Sequence, residues 1–384
     1  MNIVSQFMSF NKLMGQGLVK IVYFLFAALE VLLTMRIVLH LSGAMPIIFP
    51  ASGGSGPDVA PSPGRLLNPW WSLTMCGIAG YLSKRDDPQP VGRIMMDMLT
   101  SLARRGPDSV GLAMDRSEPA HRDTCWIRLP EGGDAVEHER RILAGLAVVA
   151  DVGQVERREG LIRVELSTNA TPAEVRTAVE AGSRDVEVVS FGKQLELVKQ
   201  VGHPDDLEAT FSVEGFRGSH AIGHTRLSTE SRVDLTHSQP FWARGIADVA
   251  TVHNGHITNY HKLRRLYEQR GVRFFSENDS EVIGVYIADQ LSQGLSLEEA
   301  LQASLDDFDG SFSYLVASGD AMGFARDPFA LKPLVTVETP TYVAMANEEI
   351  AIRHALGDAG VAHEPTGHVY KLWRRAPAAV GAAA

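Results

Sequence analysis

The strongest constraint on the fold is a short stretch at residues 75–81, MCGIAGY, in which a cysteine precedes small, β-branched and aromatic residues. Such a run predicts a short buried strand, because these side chains suit a pleated surface that is covered by other residues. Cys76 stands at the head of this strand. The stretch lies a fifth of the way along the chain, yet it is typical of the first residues of a protein. The sequence therefore predicts a fold organised around a strand that presents a thiol.

The composition is that of a folded protein, and it excludes some classes of partner. The 384 residues suffice for two or three average domains, or for one large α/β domain with additions. A hydrophobic content of 45% and a charged content of 21% are ordinary for a globular protein. The formal net charge of -10, with no basic cluster between aromatic residues, argues against a nucleic-acid partner.

The cysteine and histidine pattern predicts neither a disulfide framework nor a metal site. The two cysteines, Cys76 and Cys125, could form at most one disulfide, and their setting does not suggest one. No Cys/His pairs occur at zinc spacing, and the sequence has no Walker loop and no dinucleotide fingerprint. We therefore expect no metal and no cofactor.

After Cys76 the sequence contains segments with helical periodicity and segments with strand periodicity. Residues 91–105 predict an amphipathic helix that ends in the breaker cluster at 104–108. Three further helices are predicted at 257–270, 279–291 and 296–308, the last two with good capping residues. Strands are predicted at residues 111–114, 223–229, 246–252, 311–317, 323–325, 334–337, 342–346 and 369–373. A chain order of strands, then two or three adjacent helices, then further strands fits a layered α/β sandwich.

Residues 115–215 predict a folded insertion rather than a linker. Residues 161–167 alternate as in a strand, and residues 185–191 again favour a strand. Between them, residues 171–174 (TPAE) give a helix start with a cap, a proline and a glutamate at suitable positions. We therefore expect a strand-helix-strand unit here.

Four further motifs accompany residues 75–81, and together they indicate a family. In order they are RRGPDS at 104–109, GHTRLST at 223–229, HNG at 253–255 and NDSE at 278–281. This set resembles the class II glutamine amidotransferases, which belong to the N-terminal nucleophile hydrolases. The resemblance implies an α+β fold, a four-layer α-β-β-α sandwich, spanning residues 76–375. The insertion at about 115–215 resembles stand-alone glutaminase-like subunits of glutamate synthase and N-methylglutamate synthase enzymes.

Cys76 is the predicted nucleophile. A thiol with a pKa near 8.5 is only slightly ionised at neutral pH, so it needs a base. The resemblance implies that Cys76 is the first residue and that its own α-amine, with a pKa of about 7.7–8.0, accepts the proton. Asn254 and Gly255 are the predicted oxyanion hole, a side-chain amide and a backbone N–H that stabilise the tetrahedral intermediate. The alternatives are a buried structural thiol and an ordinary Asn-Gly turn.

Four residues are predicted to bind substrate. Arg226 is expected to bind the α-carboxylate of glutamine with paired hydrogen bonds, and Thr229 to add a hydroxyl donor. Asp279 is expected to pair with the α-ammonium group, and Arg105 to close the pocket. The alternatives are a structural salt bridge for Arg226, a helix cap for Asp279 and a solvated helix end for Arg105. Glu230 departs from the family pattern and puts the carboxylate pocket in doubt.

Residues 1–74 have no counterpart in the resemblance. Residues 21–50 are mostly apolar and long enough to span a bilayer. Glu30 and Arg36 would each cost about 2.5–3.5 kcal/mol of insertion free energy at the middle of such a helix. Residues 51–64 are rich in Gly, Ser and Pro and predict a linker or disorder. At the other end, the Ala-rich residues 376–384 predict a disordered tail.

Three interpretations of residues 1–74 are open. A membrane anchor is one, and a signal peptide is a weaker one, because no small-residue cleavage site lies beside Cys76. We favour the third, in which translation starts at Met75, because removal of that one Met frees the α-amine of Cys76. A propeptide cut between Met75 and Cys76 would have the same effect, although a hydrophobic propeptide of this length would be unusual. This interpretation predicts a cytoplasmic protein.

The resemblance implies a glutaminase that converts glutamine to glutamate and ammonia through a Cys76 thioester. Because the chain has no room for a second synthase domain, we expect a separate synthase subunit to accept the ammonia. Two alternatives are a stand-alone hydrolase of γ-glutamyl amides or peptides, and a non-catalytic regulatory subunit that binds glutamine. The segment at 326–334, which also resembles the family, is expected to be structural.

Overall fold

The computed structural model describes residues 76–116, 121–130, 132–181, 185–228, 232–358 and 360–375. The hydrophobic segment and linker expected at 1–74, and the tail expected at 376–384, lie outside these ranges. Within the described ranges, no helix is both long enough and apolar enough to cross a membrane. Sixteen strands in this part of the chain form three antiparallel sheets.

The first sheet is organised around the strand that follows Cys76. All seven residues of Gly77–Ser83 (β1) are buried, as predicted. This strand is the middle one of seven. In spatial order the strands are Ala362–His363 (β15), Val335–Glu338 (β13), Tyr342–Ala346 (β14), β1, His220–Arg226 (β8), Ser109–Asp115 (β2) and Leu195–Val201 (β7).

The second sheet packs face to face against the first. Its five strands are, in order, Val369–Arg374 (β16), Ala321–Arg326 (β12), Gly310–Ser318 (β11), Val249–Ile257 (β10) and Phe241–Trp242 (β9). The sheets approach closely at Gly80 of β1, where an added Cβ would lie 3.0 Å from Met322 Sδ and 3.1 Å from Leu315 Cδ1. Glycine therefore allows the two sheets to share one core.

Helices cover the outer faces of this pair of sheets. In chain order the helices of the described residues are Val91–Leu102 (α1), Ala135–Leu146 (α2), Pro172–Glu180 (α3), Pro204–Phe211 (α4), Tyr260–Gln269 (α5), Asp279–Ser292 (α6), Leu297–Asp307 (α7) and Glu349–Leu356 (α8). Helices α1, α4 and α8 pack on the first sheet, whereas α6 and α7 pack on the second, with α5 beside α6. The result is the predicted four-layer α-β-β-α sandwich.

The insertion is larger than the unit predicted from the sequence. The expected strand-helix-strand unit is present as Leu161–Ser167 (β5), α3 and Glu187–Gly192 (β6), and Thr171 and Glu174 form the expected capping box. The structure adds Asp123–Arg128 (β3), Asp151–Arg158 (β4) and α2, which complete a third sheet in the order β4-β5-β3-β6. Strand β7 and helix α4 return to the first sheet, so the end of the predicted insertion belongs to the sandwich.

Several boundaries differ from prediction because strand pairing decides them. The strand predicted at 246–252 is β10, which runs from Val249 to Ile257 because all of these residues pair with β11. The strand predicted at 223–229 is β8, which ends at Arg226 because its pairing with β1 ends at Thr225 opposite Gly77. The helix predicted from residue 257 begins at Tyr260, since Ile257 still pairs with Gly310 of β11. Helix α8 was not predicted.

Candidate active site

Cys76 lies where β1 enters the first sheet, and it is partly buried. Its Sγ donates a long hydrogen bond to the carbonyl oxygen of Leu227, at 3.6 Å, and its own carbonyl oxygen accepts one from Arg105 Nε at 3.4 Å. The next residue has to be Gly77, because an added Cβ would lie 2.6 Å from Thr225 Oγ1. Two neighbouring segments therefore fix the thiol at the end of the strand.

A cavity of about 470 Å³ opens beside this thiol. It brings together five of the predicted site residues, Cys76, Arg226, Asn254, Gly255 and Asp279, from the start of β1, from β8 and β10, and from the first turn of α6. The cavity is also lined by Leu227, Gln239, His253, His256, Ile257, Thr258, Tyr260, Glu277, Asn278, Ser280 and Lys332. Thr229, predicted to bind substrate, lies outside the described residues, as does Glu230.

Asn254 and Gly255 lie on β10 and face the cavity. Asn254 is buried, and its Nδ2 has no hydrogen-bond partner among the described residues. Gly255 has a φ of 140°, and an added Cβ would lie 2.2 Å from the carbonyl oxygen of Ser311. A side chain is therefore excluded at this position. The strand thus presents a side-chain amide nitrogen whose two N–H groups have no acceptor among the described residues.

Arg226 is the last residue of β8, and its side chain is buried in the cavity wall. Its Nη1 donates to the carbonyl oxygen of Arg232 at 2.9 Å, and its Nη2 donates to Ser228 Oγ at 3.4 Å. The Asp108 carboxylate accepts from the Ser228 amide at 2.7 Å, which joins the predicted breaker cluster to the end of β8. These contacts hold the guanidinium at the wall of the cavity.

Asp279 is the first residue of α6, and the helix cap is a different residue. Asn278 caps the helix, since its Oδ1 accepts from the Ser280 amide at 3.1 Å. The Asp279 Oδ2 accepts from the Ile257 amide at 2.8 Å. Its Oδ1 lies 3.8 Å from His253 Nδ1. The carboxylate is therefore oriented by the main chain of β10 at the side of the cavity.

Arg105 lies behind Cys76 rather than among the residues that line the cavity. Besides its contact with the Cys76 carbonyl, its Nη1 donates to Glu348 Oε1 at 2.6 Å. Its side chain is only 10% exposed, whereas that of the neighbouring Arg104, which also pairs with Glu348, is 67% exposed. The structure thus places Arg105 where it supports the main chain of Cys76, and a contact with substrate stays a prediction.

A buried hydrogen-bond network surrounds His253. Its Nδ1 lies 2.8 Å from Ser280 Oγ, and its amide donates to Gln239 Oε1 at 2.6 Å. The Gln239 Nε2 in turn donates to the His253 carbonyl at 3.2 Å and to Ser280 Oγ at 3.1 Å. His224 Nε2 lies 3.2 Å from the same carbonyl. The network locks the strand that carries Asn254 to the start of α6.

The electrostatics of the site leave the thiol in need of a base. Burial raises the pKa of the Cys76 thiol, while the Arg226 guanidinium lowers it. Burial lowers the pKa of His253 to about 4 and that of His224 to about 3. Both imidazoles are therefore neutral at pH 7 and too weakly basic to deprotonate a thiol efficiently.

Sequence analysis missed the cavity residues Gln239 and Lys332. Lys332 belongs to the segment expected to be structural, and that segment does hold a loop in place. The buried Arg326 donates to the carbonyl oxygens of Ala330 and Lys332, both at 2.9 Å. Burial lowers the pKa of Lys332, whereas the neighbouring Cys76 raises it. The resemblance of residues 326–334 to the family was the signal that could have placed Lys332 near the site.

Two face-to-face antiparallel sheets lie between helical layers, with a cysteine at the head of a central strand. This is the layered arrangement that the resemblance to the class II glutamine amidotransferases implied. The comparisons with known proteins identify the family itself.

A family model described as a glutamine amidotransferase domain matches residues 224–354. The chain is 37% identical over 280 residues to the glutamine amidotransferase-like protein GlxB of Rhizobium meliloti (strain 1021), which covers 72% of this chain and 91% of that protein. It is 30% identical over 164 residues to the amidophosphoribosyltransferase of Methanocaldococcus jannaschii, which covers 42% of this chain and 35% of that protein. The chain therefore belongs to the glutamine amidotransferase family.

Among solved structures, the chain is similar to the glutamine phosphoribosylpyrophosphate amidotransferase from B. subtilis complexed with ADP and GMP. The identity is 17%, the TM-score is 0.48, and the match covers 78% of this chain and 49% of that chain.

Proposed function

We propose that this enzyme hydrolyses the side-chain amide of free glutamine at Cys76 and supplies the ammonia to a separate synthase subunit. One observation carries the proposal. One cavity is lined by the thiol of Cys76, the guanidinium of Arg226, the carboxylate of Asp279 and the side-chain amide of Asn254. The nitrogen of that amide has no hydrogen-bond partner among the described residues. These are the groups that a free amino acid with a reactive side-chain amide requires.

The first half of the reaction forms a thioester. The α-amine of Cys76 accepts the thiol proton, and Sγ attacks the side-chain carbonyl carbon of glutamine. The tetrahedral intermediate then collapses, the C–N bond breaks, and the proton passes to the leaving nitrogen to give ammonia. This step requires Cys76 to be the first residue of the active enzyme, since an acylated nitrogen is not basic.

Asn254 and Gly255 stabilise the charge that develops during this step. The oxygen of the attacked carbonyl becomes an oxyanion, and the Asn254 amide and the Gly255 N–H are the proposed donors. A donor that has no partner in the resting site needs no rearrangement before it binds the oxyanion, which is the condition for strong electrostatic stabilisation.

Arg226 and Asp279 bind the two charged groups at the other end of the substrate. The guanidinium binds the α-carboxylate, and the carboxylate binds the α-ammonium group. A glutamine within a peptide lacks both charges, so the enzyme selects the free amino acid. In the second half-reaction, water attacks the thioester, glutamate leaves, and the thiol and amine are regenerated.

The lengths of the relatives support a separate acceptor. The region similar to this chain accounts for 91% of the relative named as amidotransferase-like, but for only 35% of the amidophosphoribosyltransferase. A relative with so little chain beyond the matched region favours this proposal, since an enzyme that used the ammonia itself would also need an acceptor domain.

The test is a full-length chain with a protease site placed directly before Cys76, assayed for glutamate and ammonia before and after cleavage. We expect activity on glutamine only after cleavage and its loss in Cys76→Ala. The matched control is Cys125→Ala, because Cys125 is fully buried in the third sheet and does not line the cavity. Equal activity before and after cleavage would refute the role of the α-amine, and a preference for γ-glutamyl peptides would refute glutamine as substrate.

The delivery of ammonia to a partner subunit is tested by a separate experiment. Isolation of the native protein from its own cells, followed by identification of bound proteins by mass spectrometry, should recover a synthase whose ammonia-dependent activity becomes glutamine-dependent on mixing. A fully active lone enzyme would contradict the subunit role.

A further inference from the structure

Three buried charged side chains connect the insertion to the sandwich. Glu187 begins strand β6 of the third sheet, and its Oε1 accepts from Arg244 Nη2 at 2.9 Å. The same Nη2 lies 3.2 Å from Oε1 of Glu281, in the first turn of α6. The exposed fractions of these side chains are 3%, 5% and 2%. One guanidinium thus bridges a carboxylate of the insertion and a carboxylate of the helix that carries Asp279.

Glu281 connects Arg244 to the segment that forms one wall of the cavity. Its carboxylate accepts from the amides of Phe275 and Ser276 at 3.0 and 2.8 Å, and from Ser276 Oγ at 2.7 Å. Ser276 Oγ accepts in turn from the amide of Asn278, the residue that caps α6. Arg244 also lies over the ring of Phe275, with 4.2 Å from Cζ to the ring centroid. Residues 275–280 are therefore held from the side of the insertion.

Stability alone is a poor reason for such an arrangement. Removing charges from water is costly, and apolar residues of similar size often stabilise a protein as well as a buried ion pair does. Buried charges are better explained where they fix one geometry out of several that apolar packing would tolerate. Here the geometry fixed is that of Asn278, Asp279 and Ser280, which line the cavity.

We propose that Glu187 and Arg244 are positioning residues, through which the insertion holds residues 275–280 in the geometry that binds the α-ammonium group of glutamine. The inference rests on the proposed function, and it assigns the insertion a role in substrate affinity. Neither residue touches the cavity, and both act through Glu281.

The experiment compares two buried carboxylates of the same region of the chain. Glu187→Gln removes the charge that Arg244 and Arg128 bind, whereas Glu196→Gln is the matched control. Glu196 is also largely buried and pairs with two arginines, Arg116 and Arg163, and it accepts from Trp126 Nε1 at 3.0 Å. The partners of Glu196 do not contact residues 275–280. Loss of general stability should affect both variants alike.

The assay is steady-state hydrolysis of glutamine by the full chain cleaved before Cys76. For Glu187→Gln we expect a KM about tenfold higher with kcat changed less than about twofold, because lost ground-state binding raises KM alone. The control should keep both constants within about twofold. Arg244→Lys keeps the charge but lacks the planar fork that bridges two carboxylates, so it should repeat the KM effect if Glu187→Gln fails to fold.

Hydrogen exchange provides a readout that needs no glutamine. We expect faster amide exchange at residues 275–280 in Glu187→Gln than in Glu196→Gln, at equal exchange in the core of β1. Equal KM values and equal exchange in the two variants would overturn the inference. If the unaltered enzyme does not hydrolyse glutamine, the proposed function fails, but the exchange result still decides whether the insertion holds this segment.

Discussion

Replacing Asn254 with alanine tests whether the amide beside Cys76 is an oxyanion donor. Asn254 is buried, and its Nδ2 has no hydrogen-bond partner among the described residues. An amide that stabilised the resting fold would have a partner, since nearly all buried polar groups do. We therefore expect the substitution to affect the transition state far more than the folded state.

The magnitude follows from the role. Removal of one oxyanion-hole donor costs about 2.7–4 kcal/mol of transition-state stabilisation, which lowers kcat by about 100- to 1,000-fold. The KM for glutamine should change little, because the donor binds charge that exists only after attack. The measurement is glutamate release by the full chain cleaved before Cys76, with active thiol counted by alkylation.

Asn347 supplies the contrasting variant. It is buried as well, but its Oδ1 accepts from the Ile78 amide at 2.5 Å and its Nδ2 donates to the Pro333 carbonyl at 2.6 Å. Asn347→Ala leaves two buried backbone groups without partners, each at a cost of about 1–3 kcal/mol of folding stability. Urea unfolding should show this loss for Asn347→Ala and a smaller one for Asn254→Ala. A fall in kcat of less than about fivefold for Asn254→Ala would refute the oxyanion role.

Three further outcomes follow from the site. The kcat/KM of the cleaved enzyme should rise with pH through about 7.7–8.0 as the α-amine loses its proton, and a midpoint near 4 would instead implicate a histidine. Asp279→Asn should raise the KM for glutamine by about 10- to 100-fold, because a charge-assisted hydrogen bond is lost, and it should affect kcat less. A fall in kcat of that size with an unchanged KM would contradict this role. Because the folded-state pKa values of His253 and His224 lie near 4 and 3, below about 6.5 for an unfolded histidine, the unfolded chain binds more protons between these values. The contribution of these two histidines to the free energy of unfolding should therefore be fully present above pH 6.5, and it should be lost as the pH drops toward 4. A rise in the urea midpoint as the pH falls over that range would refute the assignment.

Local sequence signals were sufficient to predict the buried strand that follows Cys76. The small residues after Cys76 predict a strand that can lie between a helix and a second sheet, and Gly77 and Gly80 make the close contacts that required them. Gly255 was predicted from the HNG motif at residues 253–255, because glycine allows a close approach of the main chain, and the structure gives this position a φ of 140°. Neighbouring atoms leave little room for a Cβ at Gly77 and Gly80, and the main-chain conformation also favours glycine at Gly255, so a glycine at one sequence position carries the information.

Contacts between distant residues could not be predicted in this way. Gln239 lies in a segment without periodicity, yet its side chain pairs with the main chain of His253. Arg244 follows a two-residue strand and has the sequence context of a turn, but it joins Glu187 to Glu281 across the molecule. The register that brings such residues together is set by sheet pairing and core packing, and no local pattern encodes it.

The buried polar atoms without partners show where this fold departs from a purely structural optimum. Among the described residues, these atoms include Arg105 Nη2, His253 Nε2 and Asn254 Nδ2. All three belong to residues that contact Cys76 or line the cavity beside it. A buried donor without an acceptor costs about 1–3 kcal/mol, so a site that contains several is one where stability has been given up for unsatisfied hydrogen-bonding capacity. At Asn254, which lines the cavity, that capacity suits a ligand that brings its own acceptor, and the side-chain oxygen of glutamine, which becomes an oxyanion on attack, is such an acceptor.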